Sequence, residues 1–482
     1  RPCAGLVRGA PAMGYGALPA TVEEEVAEIN AYLATKDNVI RCDSTETKGR
    51  IAVSSKAFSA GQEIYVEAPL AIVQEDHSNK SFKKTQELVS KHSFDYEVLW
   101  YWCALNCLTD EDLDGVDAPA DLKRVTKVQQ RRLMLLFTPS TTKPSDAILL
   151  ITQALFKCDK EKSQAIALTL ERLLQIWIHN CFEHSEDPPA YSTYFMSCFH
   201  SHSCAPNVGW HYSGDNFVLR ARQAIQAGEE LCITYLPEEG LYESTIERRA
   251  DLQTTKGFEC GCDRCASPWD TSRGFRCECG GVRFLASETS VTSDEKQCSP
   301  CNNAACAKNP DRTALQKIME EEDKLVKMFR KFENNTTDVQ TTKAKEVLGN
   351  AEKNFPQHWV TERMWNWLQN GCTRHRKYAD AIAFANRRAN FMEKAYTGLN
   401  GAAAWCIEEW ASLTVRECGV EPNNTGNKQS FEKVKASDAM TLYDRSLHIL
   451  INMFGTEHEF YVDVKSKVDQ LKEAAKKVGV TL

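Results

Sequence analysis

Ser201-His-Ser-Cys-Ala-Pro-Asn207 is the stretch on which the reading of this chain turns. Two more follow it in order: Gly228-Glu-Glu-Leu-Cys-Ile-Thr-Tyr235, then Phe258-Glu-Cys-Gly-Cys-Asp-Arg-Cys265. The runs from Val208 to Leu236 carry strand signals. Ser213-Gly-Asp-Asn216 divides one pair of β runs as a hairpin turn does, and Ala227-Gly-Glu-Glu230 divides the next. Taken alone, Leu231-Cys-Ile-Thr-Tyr235 is an alternating strand that ends in Tyr.

Toward the N-terminus, Ser81 to Phe182 has helical periodicity, with Leu168, Leu170, Leu173, Leu174, Ile176 and Trp177 forming a broad apolar face. Before it, Asn38 to Val73 breaks into short β-type runs punctuated by Gly49, Gly61 and Pro69. Two strand-rich lobes are thus joined across a helical insert. Thr21-Val-Glu-Glu24 reads as a capping box opening an acidic helix that ends near Lys36. The first 20 residues are Gly-, Ala- and Pro-rich without acids and open on Arg1, as a targeting remnant or a piece of a longer chain would.

Toward the C-terminus, residues from about Thr313 onward read almost wholly as helices, among them Tyr378 to Lys394, Ala402 to Arg416 and Phe431 to Met453. Helices of this length in succession predict antiparallel pairs stacked as in a solenoid, with no period clean enough to fix a repeat. Trp359, Trp365, Trp367, Trp405 and Trp410 are read as core of that stack rather than a peptide groove. Glu320-Glu-Glu-Asp323 is read as a solvated helix face.

At 482 residues the chain exceeds one ordinary core, so two or three packed units are expected. A formal charge of −8 argues against direct nucleic-acid binding and favours basic partners, and no apolar run is long enough to span a bilayer. Of the 20 cysteines, those from Cys260 to Cys306 crowd at short spacings, which favours thiolate metal ligands over a disulfide lattice. A reducing compartment, cytoplasm or nucleus, follows. Cys260, Cys262 and Cys265 supply three thiolates; a closed tetrahedral zinc site needs a fourth, and spacing alone nominates Cys277.

Together the three quoted stretches resemble the SET domain of protein-lysine methyltransferases, whose patterns are Asn-His-Ser-Cys-x-Pro-Asn, Gly-Glu-Glu-Leu-x-Ile-x-Tyr and a post-SET Cys-x-Cys-x-x-Cys. Lys48-Gly-Arg50 and Phe58-Ser-Ala-Gly61 look like that domain's opening turn and first hairpin, and His179-Asn-Cys-Phe182 is similar to the segment closing its insert. The insert, cysteine-rich tail and helical C-terminus look like the SMYD branch. Only Cys103 and Cys107 lie between Cys42 and Cys158, too few for that branch's MYND finger. The finger-less layout is similar to that of the apical-complex lysine methyltransferases of apicomplexan parasites.

The resemblance implies an α+β chain: an N-terminal segment and helix (1–37), a SET domain of small sheets (38–258) with its insert at about 81–182, a zinc-binding post-SET region (259–310), and an all-α, TPR-like helical-repeat domain (311–482). It implies S-adenosyl-L-methionine as cofactor, held by Lys48, Arg50, Asn180, Ser201, His202 through its main chain, Tyr235 and Phe258. Tyr235 is the expected catalytic residue. For zinc it nominates Cys204 as the fourth ligand of Cys260, Cys262 and Cys265. That leaves Cys277, Cys279, Cys298 and Cys301 as a second set, with Cys306 a spare or a substitute. Both ions would be structural, because four thiolates leave no open position. Three departures bear on activity: Ser201 stands at the family's cofactor-contacting Asn, Ile51 at a Gly, and Lys256 where an aromatic often lines the lysine channel.

Two functions from different classes compete. The first is methyl transfer to a lysine side-chain amine of a protein substrate. The second is a catalytically weak SET-fold scaffold that binds protein partners through its helical domain, favoured by those departures. A metallohydrolase fits poorly, since no His/Glu pair accompanies the cysteines at ligand spacing.

Overall fold

Thr21 and Glu24 exchange side-chain and backbone hydrogen bonds as the predicted capping box. The box opens α1 (Val22–Leu33), whose Ile29 and Leu33 are buried; Lys36 lies just past it in a terminal turn. The computed structural model describes residues 19, 21–140, 142–287, 298–333, 338–418 and 432–479. The reading of the first 20 residues therefore lies, Pro19 apart, outside the described residues, as does Phe431 at the head of one expected helix.

The first lobe comprises β1 (Ile40–Thr45) and β2 (Gly49–Ser54), an antiparallel hairpin, then β3 (Glu63–Glu67) and β4 (Ala71–Gln74). The insert follows as α2 (Lys80–His92), α3 (Val98–Leu105), α4 (Lys127–Met134), α5 (Asp146–Leu155) and α6 (Lys160–Asn180). On α6 most of the predicted face holds: Leu170, Leu173, Leu174, Ile176 and Trp177 are buried, and Leu168 is partly buried. A hairpin that the sequence did not disclose comes next, β5 (Phe182–Glu186) and β6 (Pro189–Thr193), in the sheet order β4-β6-β5. Its Glu183, His184, Ser185 and Glu186 are only partly buried or exposed, so no apolar alternation announces it.

The chain then makes β7 (Ser201–His202), β8 (Val208–Ser213), β9 (Asn216–Ala221) and β10 (Cys232–Ile233). β8 and β9 form the predicted hairpin, with Gly214 at φ 58° in its turn, and join β3 in the order β3-β9-β8. The second expected hairpin is corrected. Beyond Ala227–Glu230 the chain does not fold back on β9; β10 pairs in parallel with β7, bringing Cys232 opposite Ser201 and Ile233 opposite His202. A motif carried on a two-residue strand has no periodicity to reveal its partner.

After β10 come α7 (Thr245–Lys256), stopped by Gly257 in the left-handed region at φ 75°, and α8 (Asp263–Ala266). Then β11 (Trp269–Arg276) and β12 (Val282–Ala286) form a small sheet. The C-terminal region holds α9 (Arg312–Glu333), α10 (Asp338–Asn354), the short β13 (Gln357–His358) that joins β11, and α11 (Trp359–Arg374), α12 (Tyr378–Ala395), α13 (Gly401–Glu417), α14 (Lys433–Phe454) and α15 (Glu459–Lys477). From α11 onward each helix packs on the next, as short connections favour. Trp359 and Trp365 are buried, and Trp367, Trp405 and Trp410 pack against the same core.

Two large apolar cores result. One unites the strand lobes with the insert around Ala52, Leu170, Trp177 and Phe217; the other joins Leu236, Leu241 and Leu252 to Phe275, Val360, Phe391 and Leu450. Ile233 belongs to the first core and Leu236 to the second, so Tyr235 lies between residues anchored in both. No described helix is long and apolar enough to cross a membrane.

Candidate active site and metal centres

Asn207 shows how the first motif holds the second. Its side-chain Nδ2–H donates to the Glu230 carbonyl and its Oδ1 accepts the Cys232 N–H, each at 2.8 Å. The Tyr235 N–H then donates to His202 Nδ1 at 2.9 Å, and the Tyr235 hydroxyl donates to the His200 carbonyl at 2.7 Å. Tyr235 as a whole is 39% exposed, but the protein packed around its hydroxyl end pushes the phenol above its usual range, so it stays a neutral donor. Because His202 Nδ1 accepts, Nε2 carries the proton, aimed at Cys204 Sγ 3.3 Å away. Phe258 stands across from both rings, its centroid 6.0 Å from His202 and 6.3 Å from Tyr235.

Lys256, at the end of α7, carries its ammonium 5.9 Å from the centroid of the Tyr235 ring. Its charge, after burial, also holds the His179 imidazole below its usual value. Phe137, largely exposed, meets His179 edge-on at 5.5 Å. These side chains frame one face of the Tyr235 region.

Lys48 pairs with Glu230 at 2.7 Å, which puts the β1–β2 turn beside the second motif. The other carboxylate oxygen, Glu230 Oε1, is buried without a hydrogen-bond partner. Ser201 is half-buried on β7. Two predicted residues are more fully engaged by protein. Both protons of the Asn180 amide go to carbonyls, Phe137 and Ile176, each at 2.7 Å, leaving Oδ1 as its free acceptor. Arg50 is bonded to the Leu135 carbonyl, paired with Glu25 at 3.5 Å and set over Phe199 at 5.5 Å.

Two groups of four cysteines gather their sulfurs within 4.8 Å of one another: Cys204, Cys260, Cys262 and Cys265, and Cys277, Cys279, Cys301 and Cys306. No described cysteine is in a disulfide. Sulfurs 2.3 Å from a tetrahedral ion stand about 3.8 Å apart. Cys204 and Cys265 are at 3.5 Å, Cys277 and Cys306 at 3.7 Å, and Cys279 and Cys301 at 3.5 Å, so both sets fit zinc. One expected ligand is corrected: Cys298 is outside the second set and Cys306 completes it. Cys298 is bridged to Leu285 on β12 and packs against the apolar core, whereas the turn closed by the Cys306 N–H on the Asn303 carbonyl swings Cys306 back to Cys277.

Sequence reading missed the arginines that serve these sulfurs. Arg248, 1% exposed, donates to Cys265 Sγ, and Arg283, 2% exposed, donates to Cys277 Sγ. Four thiolates around a divalent cation leave excess negative charge, which a buried guanidinium offsets. Only Arg283, set among Val282, Phe284 and Leu285, gave a faint signal; Arg248, in Thr245-Ile-Glu-Arg-Arg249, gave none. Arg264 and Arg249 reach the backbone carbonyls of Cys204, Cys260 and Cys265.

The residues present also fit S-adenosylmethionine. A zwitterionic end is matched by the Lys48 ammonium and the unpartnered Glu230 oxygen, and an aromatic end by Phe258 and the His202 main chain.

A family model described as the SET domain matches residues 49–236. The chain is 43% identical over 65 residues to a mouse protein named histone-lysine N-methyltransferase SMYD3, a match covering 14% of each chain. It is 26% identical over 188 residues to mouse protein-lysine N-methyltransferase SMYD4, covering 35% of this chain and 22% of that one. The chain thus spans less than a quarter of either relative's length. A crystal structure of the SET domain of LSMT bound to lysine and AdoHcy aligns over 95% of this chain and 93% of that one at 11% identity, with a TM-score of 0.29.

Proposed function

Because residues 49–236 are a SET domain and the chain is SMYD-like, we propose that it transfers a methyl group from S-adenosylmethionine to a lysine side-chain amine of a protein substrate. The observation that carries this is the double tether of Tyr235, whose N–H and hydroxyl are both bonded to the segment His200–His202 of the other motif. When bound, the cofactor supplies an electrophilic methyl group. Lys48, Glu230, Ser201, the His202 main chain and Phe258 hold it, with Asn180 contributing through Oδ1; Arg50 braces the turn from behind.

Tyr235 orients the reacting groups. With its proton given to the His200 carbonyl, its oxygen lone pairs are free to face the target amine and the positively polarised methyl group. A target lysine must arrive neutral to have a lone pair, and the Lys256 charge already over the ring favours that form. Its proton leaves to water. Zinc at each cysteine set holds shape rather than reacting. The protein partner is a lysine-bearing chain; the residue ranges 38–258, 259–310 and 311–482 are the working division into SET, post-SET and helical units, and a reducing cytoplasmic or nuclear setting suits the unpaired thiols.

Calorimetric titration of zinc-loaded protein with S-adenosylmethionine tests this. Saturable one-to-one binding, weakened by Phe258→Ala, supports the enzyme. No binding by a folded, zinc-replete sample supports the scaffold instead.

A further inference from the structure

Beneath Tyr235 lies a chain of buried polar groups that neither motif contains. Tyr65 and Glu67 point inward from β3, 7% exposed each, while Ser197 and His200 are 1% exposed. Glu67 caps the tight turn Ser197–Phe199: its carboxylate accepts the Met196 N–H at 2.7 Å, the Ser197 N–H at 3.0 Å and the Ser197 hydroxyl at 2.7 Å. His200 leaves that turn with its ring bound at both nitrogens. Nδ1 is 3.1 Å from the Leu231 carbonyl and Nε2 is 2.7 Å from the Tyr65 hydroxyl, which also lies 3.2 Å from Ser197 Oγ.

The protons can be assigned from these partners. A carbonyl only accepts, so Nδ1 carries the hydrogen; burial holds the ring neutral, its pKa down at about 4, so Nε2 accepts and Tyr65 donates. Ser197 spends its proton on Glu67. The result is a rigid strut from β3, through Tyr65 and the His200 ring, to the Leu231 carbonyl at the start of the segment that ends in Tyr235. The main-chain carbonyl of His200 receives the Tyr235 hydroxyl.

We propose that Tyr65 and His200 are positioning residues that fix the direction of the Tyr235 hydroxyl. This rests on the reading of Tyr235 as the methyl-transfer tyrosine. An ordinary buried side chain would need only to fill space at position 200. Here its two ring bonds set where the carbonyl points, and an error of a fraction of an ångström there turns the phenol's lone pairs off line.

The test uses the full zinc-replete chain labelled with ¹³Cζ-tyrosine, the Tyr235 resonance being identified by its loss in Tyr235→Phe. Tyr65→Phe, which deletes one oxygen and keeps the ring, is expected to shift that resonance, and His200→Leu to shift it further. His200→Asn, which keeps a donor near the Leu231 carbonyl, is expected to restore part of the wild-type position. Tyr212→Phe, at the Glu183 carbonyl instead, is expected to leave it unmoved. Affinity for S-adenosylmethionine, measured by calorimetry on the Tyr65→Phe sample, should stay within about twofold, because Tyr65 is bonded to Ser197 and His200 and to none of the cofactor's holders. An unmoved Tyr235 resonance in folded Tyr65→Phe overturns this proposal alone. Absence of cofactor binding by the wild type overturns the methyl-transfer reading, and with it the role assigned here.

Discussion

The two cysteine sets are alike in chemistry and opposite in how they are built. In the first, Cys204 comes from the motif beside Tyr235 and the other three from the turn between α7 and α8 and from α8 itself, so the set ties two distant stretches together, and three of the four residues are buried. The second is local: Cys277, Cys279, Cys301 and Cys306 staple the ends of the β11–β12 region, and Cys279 is exposed. The first set is part of the frame around Tyr235, whereas the second joins only its own small sheet. Metal loss at one should therefore reach Tyr235, and at the other should not.

The strongest way to break that contrast is Cys204→Ser. It is expected to remove one of two zinc ions by elemental analysis, abolish S-adenosylmethionine binding and cost several kcal/mol, since four-thiolate binding energy is folding energy. Retained cofactor affinity would erase the distinction between the sets. Next in size, Cys306→Ser should release the second ion with cofactor binding intact, while Cys298→Ser should keep both ions. The reverse pattern would restore the ligand set that spacing suggests.

A smaller effect separates two buried carboxylates, one in each core region. Glu322, which turns inward from the run Glu320–Asp323 expected to be solvated, is held down at about 2 despite burial by Arg273 and His358. Glu67 has only neutral donors, and burial pushes it up to about 6. Between its ordinary value and 6 the folded state binds more protons through Glu67, so this group makes stability fall as pH rises across that window. The span is about 2 kcal/mol. Denaturant titrations across this pH range should show Glu67→Gln removing that slope; an unchanged slope would place it elsewhere.

The smallest expected effect belongs to Lys256. Its charge lowers the proton affinity of an arriving amine, so Lys256→Gln should move the rising limb of the pH-rate profile to higher pH, by about one unit or less. A shift to lower pH would contradict the role given to that cation.

These contrasts also explain what the sequence disclosed. Thr21 and Glu24, the α6 face and the turn at Gly214 follow local rules, and local rules are written in neighbouring residues. The meeting of Cys204 with Cys260, Cys262 and Cys265 was legible only through resemblance, because no spacing encodes a contact across more than 50 positions. Where resemblance ended and spacing took over, Cys298 was chosen over Cys306: Cys-x-x-Cys records proximity but not which sulfur the following turn brings back. Arg248, Arg283 and the Tyr65–His200 strut were invisible for a related reason. Each looks like an ordinary member of a helix or strand until the partner that neutralises or orients it is placed.

The most direct test of the account follows a methyl label from S-adenosylmethionine into protein, with purified core histones and fractionated cell extract offered as acceptors, and identifies the labelled residue after hydrolysis. The account predicts methyl-lysine with the wild-type chain and none above background with Tyr235→Phe at unchanged cofactor affinity. Equal labelling by both proteins, or a chain that binds the cofactor yet methylates no lysine in either acceptor, would contradict it.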